Sequence, residues 1–175
     1  MKVLILYLYL TMQSSEAKKE FIQVWGSLGS SWGINRTMSS IHALLMSSSK
    51  AMSTEEIMDA LQISRGNANM NIRALIDWGL VKKRFVPGER KEFFEGGKDI
   101  WEIARQIAAE RKKRELTPVL QVIEDLKAKE DQSDPHFTKL LNDMQEFTTT
   151  LTTVMEKFER SDRNWFFKRL MKLFS

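Results

Sequence analysis

The sequence predicts a mainly α-helical protein with one small β-hairpin, a compact N-terminal domain followed by long C-terminal helices. Three observations predict it. Apolar residues recur at steps of three and four along most of the chain, the signature of helices with one buried face. One stretch, residues 80–95, is rich instead in β-branched, aromatic and basic residues around Pro87-Gly88, which reads as two strands and a turn. Gly96-Gly97 then breaks the chain, and helical spacing resumes.

The length of 175 residues leaves room for one compact domain, or for a small domain with a helical extension. An apolar share of 42% beside a charged share of 29% is that of an ordinary globular chain, so a core can form. There is no cysteine, which excludes disulfides, thiolate metal sites and a cysteine nucleophile. A reducing cytoplasmic setting is expected on that basis.

The first ten residues, MKVLILYLYL, are too few to cross a bilayer, which takes about 20 apolar residues. Three readings stay open: a start assigned too early, with Met12 as the true one; a genuine N-terminal segment; or a signal peptide. For the last, Ser14-Ser15-Glu16-Ala17 is a poor cleavage site. Residues 1–13 are therefore set apart as an apolar extension, 14–98 as the first domain and 99–175 as a helical region.

Within 14–31, Phe21, Ile22, Trp25 and Leu28 share one helical face, and Gly33 marks the end. A second helix over 37–47 buries Met38, Ile41, Leu44 and Leu45. Ser53, with Glu56 three residues later, has capping-box spacing and opens a short third helix, 54–62. Ser64 caps a fourth, which runs to Trp78 and is ended by Gly79. Its buried stripe is Ala68, Ile72, Leu75 and Ile76; its other face is read as Arg65, Asn67, Asn69, Asn71 and Arg73. Strands are expected over 80–86 and 91–95, with a charged tip at Gly88-Glu89-Arg90-Lys91.

A short helix, a tight turn, a second helix and a hairpin form the winged helix-turn-helix layout, in which the second helix enters the DNA major groove. Charge agrees. Residues 62–94 carry seven basic side chains against three acids, a local excess that favours polyanions. Asparagine is a mediocre helix former, so three in five residues need a reason: either this is an ordinary solvated face, or its amides and guanidinium groups read base edges and phosphates. Ser64, Arg65, Asn67, Asn69, Asn71 and Arg73 are the candidate groove contacts. Lys82, Lys83, Arg84, Arg90 and Lys91 are candidate wing contacts, mostly to phosphates, which position a protein without carrying sequence information.

After the hairpin, Ile100, Ile103, Ala104, Ile107 and Ala108 start a helix, and Pro118 either kinks it or opens a new one. Leu116, Val119, Leu120, Ile123 and Leu126 continue an apolar seam. Beyond a polar loop at 129–135, Phe137, Leu140, Met144, Phe147, Leu151, Val154 and Phe158 alternate steps of three and four. Three such heptads suffice for a dimer seam, and one helix of a monomeric bundle would show the same spacing.

Ile63-Ser64-Arg65-Gly66-Asn67-Ala68-Asn69-Met70-Asn71-Ile72-Arg73, followed by Asp77-Trp78-Gly79-Leu80-Val81 and the wing Phe85-Val86-Pro87-Gly88-Glu89-Arg90-Lys91-Glu92-Phe93-Phe94, resembles the GbsR branch of the MarR-type regulators, named for repressors of glycine betaine synthesis. Phe21-Ile22-Gln23-Val24-Trp25-Gly26 also matches. The resemblance covers residues 14–127. It implies a cytosolic homodimer, dimerised through its C-terminal helices, that binds double-stranded promoter DNA at a pseudo-palindromic operator, as a repressor by analogy. Two reading helices about 34–36 Å apart would serve such a site. Some relatives sense choline or a similar osmolyte. The first eleven residues and the tail Trp165-Phe166-Phe167-Lys168-Arg169-Leu170-Met171-Lys172-Leu173-Phe174 depart from the pattern.

Other candidates are weaker. Trp25, Trp32 and Trp101, with Trp78, are the side chains available for an aromatic effector pocket around a quaternary ammonium; core packing is the plainer reading. The amphipathic tail from Trp165 fits an anionic membrane surface or, more commonly, packing on a dimer partner or on its own core. His42 and His136 have no partners at metal spacing. Ser47-Ser48-Ser49-Lys50 matches an acyl-transfer pattern but lacks its companion motifs and reads as a loop. No cofactor and no enzymatic activity are expected. A protein-interaction or membrane-associated adaptor is the alternative function.

Overall fold

The computed structural model describes residues 2–31, 33–130 and 133–161, with side chains from residue 15 onward. The chain divides into two compact units between Lys98 and Asp99.

The first unit opens with α1, Lys2–Ser31. A helix beginning at residue 14 was expected; its backbone begins twelve residues earlier. No glycine or proline stands between Lys2 and Trp25, so nothing local stops the helix. Asn35 caps α2, Arg36–Ser47, by accepting from the amides of Thr37 and Met38. The two helices cross closely. A Cβ added at Gly26 would strike the Ser40 side chain, and one at Gly29 the Ser39 side chain.

Ser53 and Glu56 close the expected capping box at the start of α3, Thr54–Leu61. Gln62 turns the chain at φ 53°, a left-handed conformation that costs a non-glycine residue about 1–2 kcal/mol. Ser64 then caps α4, Arg65–Asp77. The end of α4 is a Schellman motif: Leu80 N–H donates to Leu75 O and Gly79 N–H to Ile76 O, with Gly79 at φ 72°.

The hairpin pairs β2, Val81–Arg84, with β3, Phe93–Gly96. A third strand that the sequence pattern did not suggest, β1 at Met52–Ser53, lies on the other side of β3, and all pairings are antiparallel. Two residues are too short for any alternation to register. The strands end before residues 85–92, where Glu89 N–H donates to Val86 O across Pro87-Gly88, so the predicted β spans 80–86 and 91–95 shrink.

The hairpin's exit is fixed to α2. A Cβ at Gly96 would lie 2.9 Å from the Met46 nitrogen and 3.0 Å from the Leu45 carbonyl carbon. Lys98 Nζ donates to the carbonyls of Leu45, Met46 and Ser48, satisfying acceptors that the helix end leaves open. The core of this unit is Ile41, Leu45, Ile57, Ile72, Leu75, Val81 and Phe94.

The second unit holds α5, Ile100–Arg111, a π-helical segment at Lys112–Leu116, and α6, Thr117–Lys129, in one unbroken helical run. Proline supplies no amide and crowds the preceding turn. The wider π turn, with Thr117 N–H bonded to Lys112 O, absorbs Pro118 without ending the helix. Asp134 caps α7, Pro135–Arg160. Ile103, Ile123 and Leu141 are the buried apolar side chains here, joined by Thr148, whose hydroxyl donates to Met144 O. Among the described residues no helix is long and apolar enough to cross a membrane.

Candidate nucleic-acid interface

The exposed side of α4 is set by helical geometry. Arg65, Asn69 and Arg73 are four residues apart and all exposed, with Met70 beside them. Asn67 is half-buried. Asn71 corrects the sequence reading: it is 3% exposed. Its Nδ2 donates to the carbonyl of Asn67 at 2.8 Å and to Asn67 Oδ1 at 2.7 Å. Two positions after the exposed Asn69 the helix has turned through about 200°, so Asn71 faces the body, where Asn67 takes both bonds of its Nδ2. Ser64 Oγ accepts from Asn67 N–H at 3.3 Å, which leaves its hydroxyl proton available to a phosphate oxygen.

The cations fall into two groups. Arg65 is paired with Glu55 of α3 at 2.9 Å. The Glu55 carboxyl is held below its usual range, first by its own backbone N–H and then by Arg65. On the wing, Lys83 pairs with Glu92 and Arg84 with Glu95, and Arg84 holds the Glu95 carboxyl low. Arg73, Lys82, Arg90 and Lys91 are exposed and have no ion pair among the described residues. Exposed pairs are worth little, so a phosphate can displace a carboxylate from Arg65, Lys83 or Arg84 at small cost. Of these four, Lys91 lies near enough to Glu55 to help hold that carboxyl low.

The arrangement is a helix offering guanidinium and amide groups beside a hairpin offering ammonium and guanidinium groups, on an α/β body whose core lies behind both. The fold is a winged helix. A solved structure described as that of a transcriptional regulator is similar to this chain with a TM-score of 0.65 at 20% identity, over 81% of this chain and 94% of the other. No family model matches the sequence, and no curated protein matches it.

The remaining sequence candidates fall in both units. In the winged-helix unit, Trp25 is half-buried against Phe21 and His42, with ring centroids 5.6 and 6.3 Å away. In the second unit, Trp101 packs edge-on to Phe158 at 5.2 Å and donates to Ser161 O. Trp32 lies outside the described residues, as does the tail from Trp165. Trp78, the fourth cage candidate, stands at the C-terminal end of α4 in the same unit as Trp25. Ser47 Oγ donates to Leu44 O at the end of α2, and Lys50 leans toward Glu56, a helix end followed by a loop. Among the described residues no cluster of His, Cys, Asp and Glu could hold a metal.

On α7, Phe137, Leu140, Met144, Phe147, Leu151 and Val154 are exposed, between 37% and 65%. Phe158 is the exception, half-buried against Trp101. Phe158 leaves the exposed row because Trp101 of α5 packs edge-on against its ring, with centroids 5.2 Å apart. Sequence reasoning missed Glu55, Glu92 and Glu95 as partners of the candidate cations; no local signal marks a carboxylate ten residues away as a partner.

Proposed function

We propose that the protein is a transcriptional regulator that binds double-stranded DNA as a homodimer, with α4 in the major groove and the β2–β3 wing on the flanking backbone. The observation that carries this reading is the exposed Arg65–Asn69–Arg73 row on a helix beside a hairpin with unpaired cations. Amide and guanidinium groups on an exposed helix match base edges, whereas an unpaired positive hairpin matches phosphate. The exposed apolar row on α7 supports a two-copy assembly, because six large apolar side chains in water favour a partner that covers them. Two-fold symmetry would pair the reading helices on a pseudo-palindromic site. Within this reading the resemblance to the GbsR branch of the MarR type supports a repressor acting by blocking polymerase in the cytoplasm. A choline-like effector gains no support from Trp25, packed on Phe21 and His42, or from Trp101, packed on Phe158.

The test is fluorescence anisotropy on DNA from the region upstream of the protein's own gene, with scrambled DNA as control, over a salt series. Specific binding about a thousandfold or more above the control, weakened steeply by salt, is the expected result. Arg65→Ala and Arg73→Ala should lose specific affinity far more than nonspecific affinity; equal losses on both DNAs would remove them from base readout. A second reading, a protein-interaction module, rests on Met70 at 60% and Phe85 at 85% exposure beside the same face. Absence of DNA binding at low salt favours it.

A further inference from the structure

We propose that the winged-helix unit binds a small organic anion, a carboxylate or phosphate group on an apolar body, in a cleft between α1, α2 and the end of α3. The cleft has a volume of about 350 Å³, the size of a small-molecule site. Lys19 of α1 and Arg36 at the start of α2 both line it, and no carboxylate does. Neither cation has an ion pair among the described residues. Two positive groups at a concave surface with no opposing acid focus a field that attracts anions.

The rest of the lining suits an amphiphile rather than a bare ion. Gln23, Thr37 and Ser40 offer hydrogen-bonding side chains, while Ile22, Leu61 and Ile63 form an apolar wall. An anionic head between Lys19 and Arg36 would leave its body against that wall. A quaternary ammonium would be repelled by the same two cations. The walls are held in place by the close crossing of α1 and α2. At Gly26 an added Cβ would meet Ser40 and would come within 3.6 Å of Arg36 Cγ. The cleft opens one and two turns earlier on α1, at Ile22 and Lys19.

The location gives the site a consequence for α4, and this clause rests on the DNA-binding reading. Leu61 ends α3 and Ile63 stands in the turn that aims α4. An occupant therefore touches both the α1–α2 pair and the turn before the reading helix, and should change DNA affinity.

Binding is tested on the full chain without DNA, so that failure of the DNA reading leaves it intact. Isothermal titration calorimetry would compare hexanoate, 2-naphthoate and phenyl phosphate with neutral 2-naphthamide and cationic benzyltrimethylammonium. At least one anion should bind one per chain, about tenfold or more tighter than both controls. Lys19→Gln and Arg36→Gln should each weaken it about tenfold, the worth of one charge-assisted hydrogen bond, and Arg36→Lys should retain most of it. Both side chains are exposed, so melting temperatures should not move. No anion above the controls, or equal binding by wild type and both Gln variants, overturns the proposal. It is equally overturned if Arg36→Gln lowers DNA affinity and salt slope while no anion binds, because the two cations are then DNA phosphate contacts.

Discussion

The winged-helix unit encloses eleven apolar side chains from Met38 to Phe94 and exposes four large ones, whereas the unit from Asp99 onward encloses three and exposes ten among the described residues. Both are built largely of amphipathic helices, so composition does not account for the contrast. In the first unit a three-stranded sheet and the crossing of α2 with α4 cover the stripes of α2, α3 and α4, while Leu28, expected on the buried face of α1, is 39% exposed. In the second, α5, α6 and α7 bury Ile103, Ile123 and Leu141 and leave two further stripes outward: Val119, Val122 and Leu126 on α6, and the row from Phe137 on α7. Exposed apolar rows of this extent favour a partner that covers them. What the first unit exposes is chiefly charge.

The largest effect should come from breaking the outward stripe. On the proposed homodimer reading, Leu140→Glu with Phe147→Glu should raise the dimer dissociation constant at least a hundredfold, as loss of central apolar anchors does. Sedimentation equilibrium reads this directly. A double variant that stays dimeric would place the interface elsewhere and remove the contrast between the units.

His42 probes the enclosed side of the comparison. It is 2% exposed, its Nε2 has no hydrogen-bond partner, and burial lowers its pKa from 6.5 to about 4. The folded unit therefore holds it neutral while the unfolded chain protonates it. That contribution to stability is whole above pH about 6.5 and is lost as pH falls toward about 4, a total of about 3 kcal/mol. Urea unfolding at pH 7 and pH 4.5 should register most of that loss, and His42→Leu should shed this part of the dependence. An unchanged slope in the variant would mean that His42 is hydrated.

Gly96→Ala should cost about 1–3 kcal/mol, because its Cβ would press on the backbone at Met46 and overpacked sites cost that much. Thermal melts would detect it. A neutral result would mean that α2 and the hairpin shift apart freely.

The smallest expected change sharpens the account of the charged face. Glu55→Gln should leave the melting temperature almost unchanged, since exposed pairs contribute little, and should raise affinity for nonspecific DNA severalfold by releasing Arg65. Anisotropy at low salt would measure it; lower affinity would mean that Glu55 orients Arg65 rather than competes for it.

Short-range chemistry was legible in the residues alone. Ser53 and Ser64 as caps, Gly79 as the end of α4, Pro87-Gly88 as the wing turn and the three–four spacing on α7 each depend on neighbours within about four positions, where hydrogen-bonding and periodicity act. So the order of elements, the winged-helix layout and the chemical character of α4 followed from the sequence. Tertiary structure decided what depends on contacts far along the chain. It turned Asn71 inward while Asn69 stayed outside, and it set Glu55, Glu92 and Glu95 against three of the cations. It added β1 to the sheet and brought Lys98 to the end of α2 some fifty residues earlier. It also assembled Lys19, Arg36 and Ile63 around one cleft. No local rule predicts these contacts, because burial and ion pairing are set by which surfaces meet, and a helix face has no identity until another element covers it or leaves it to water.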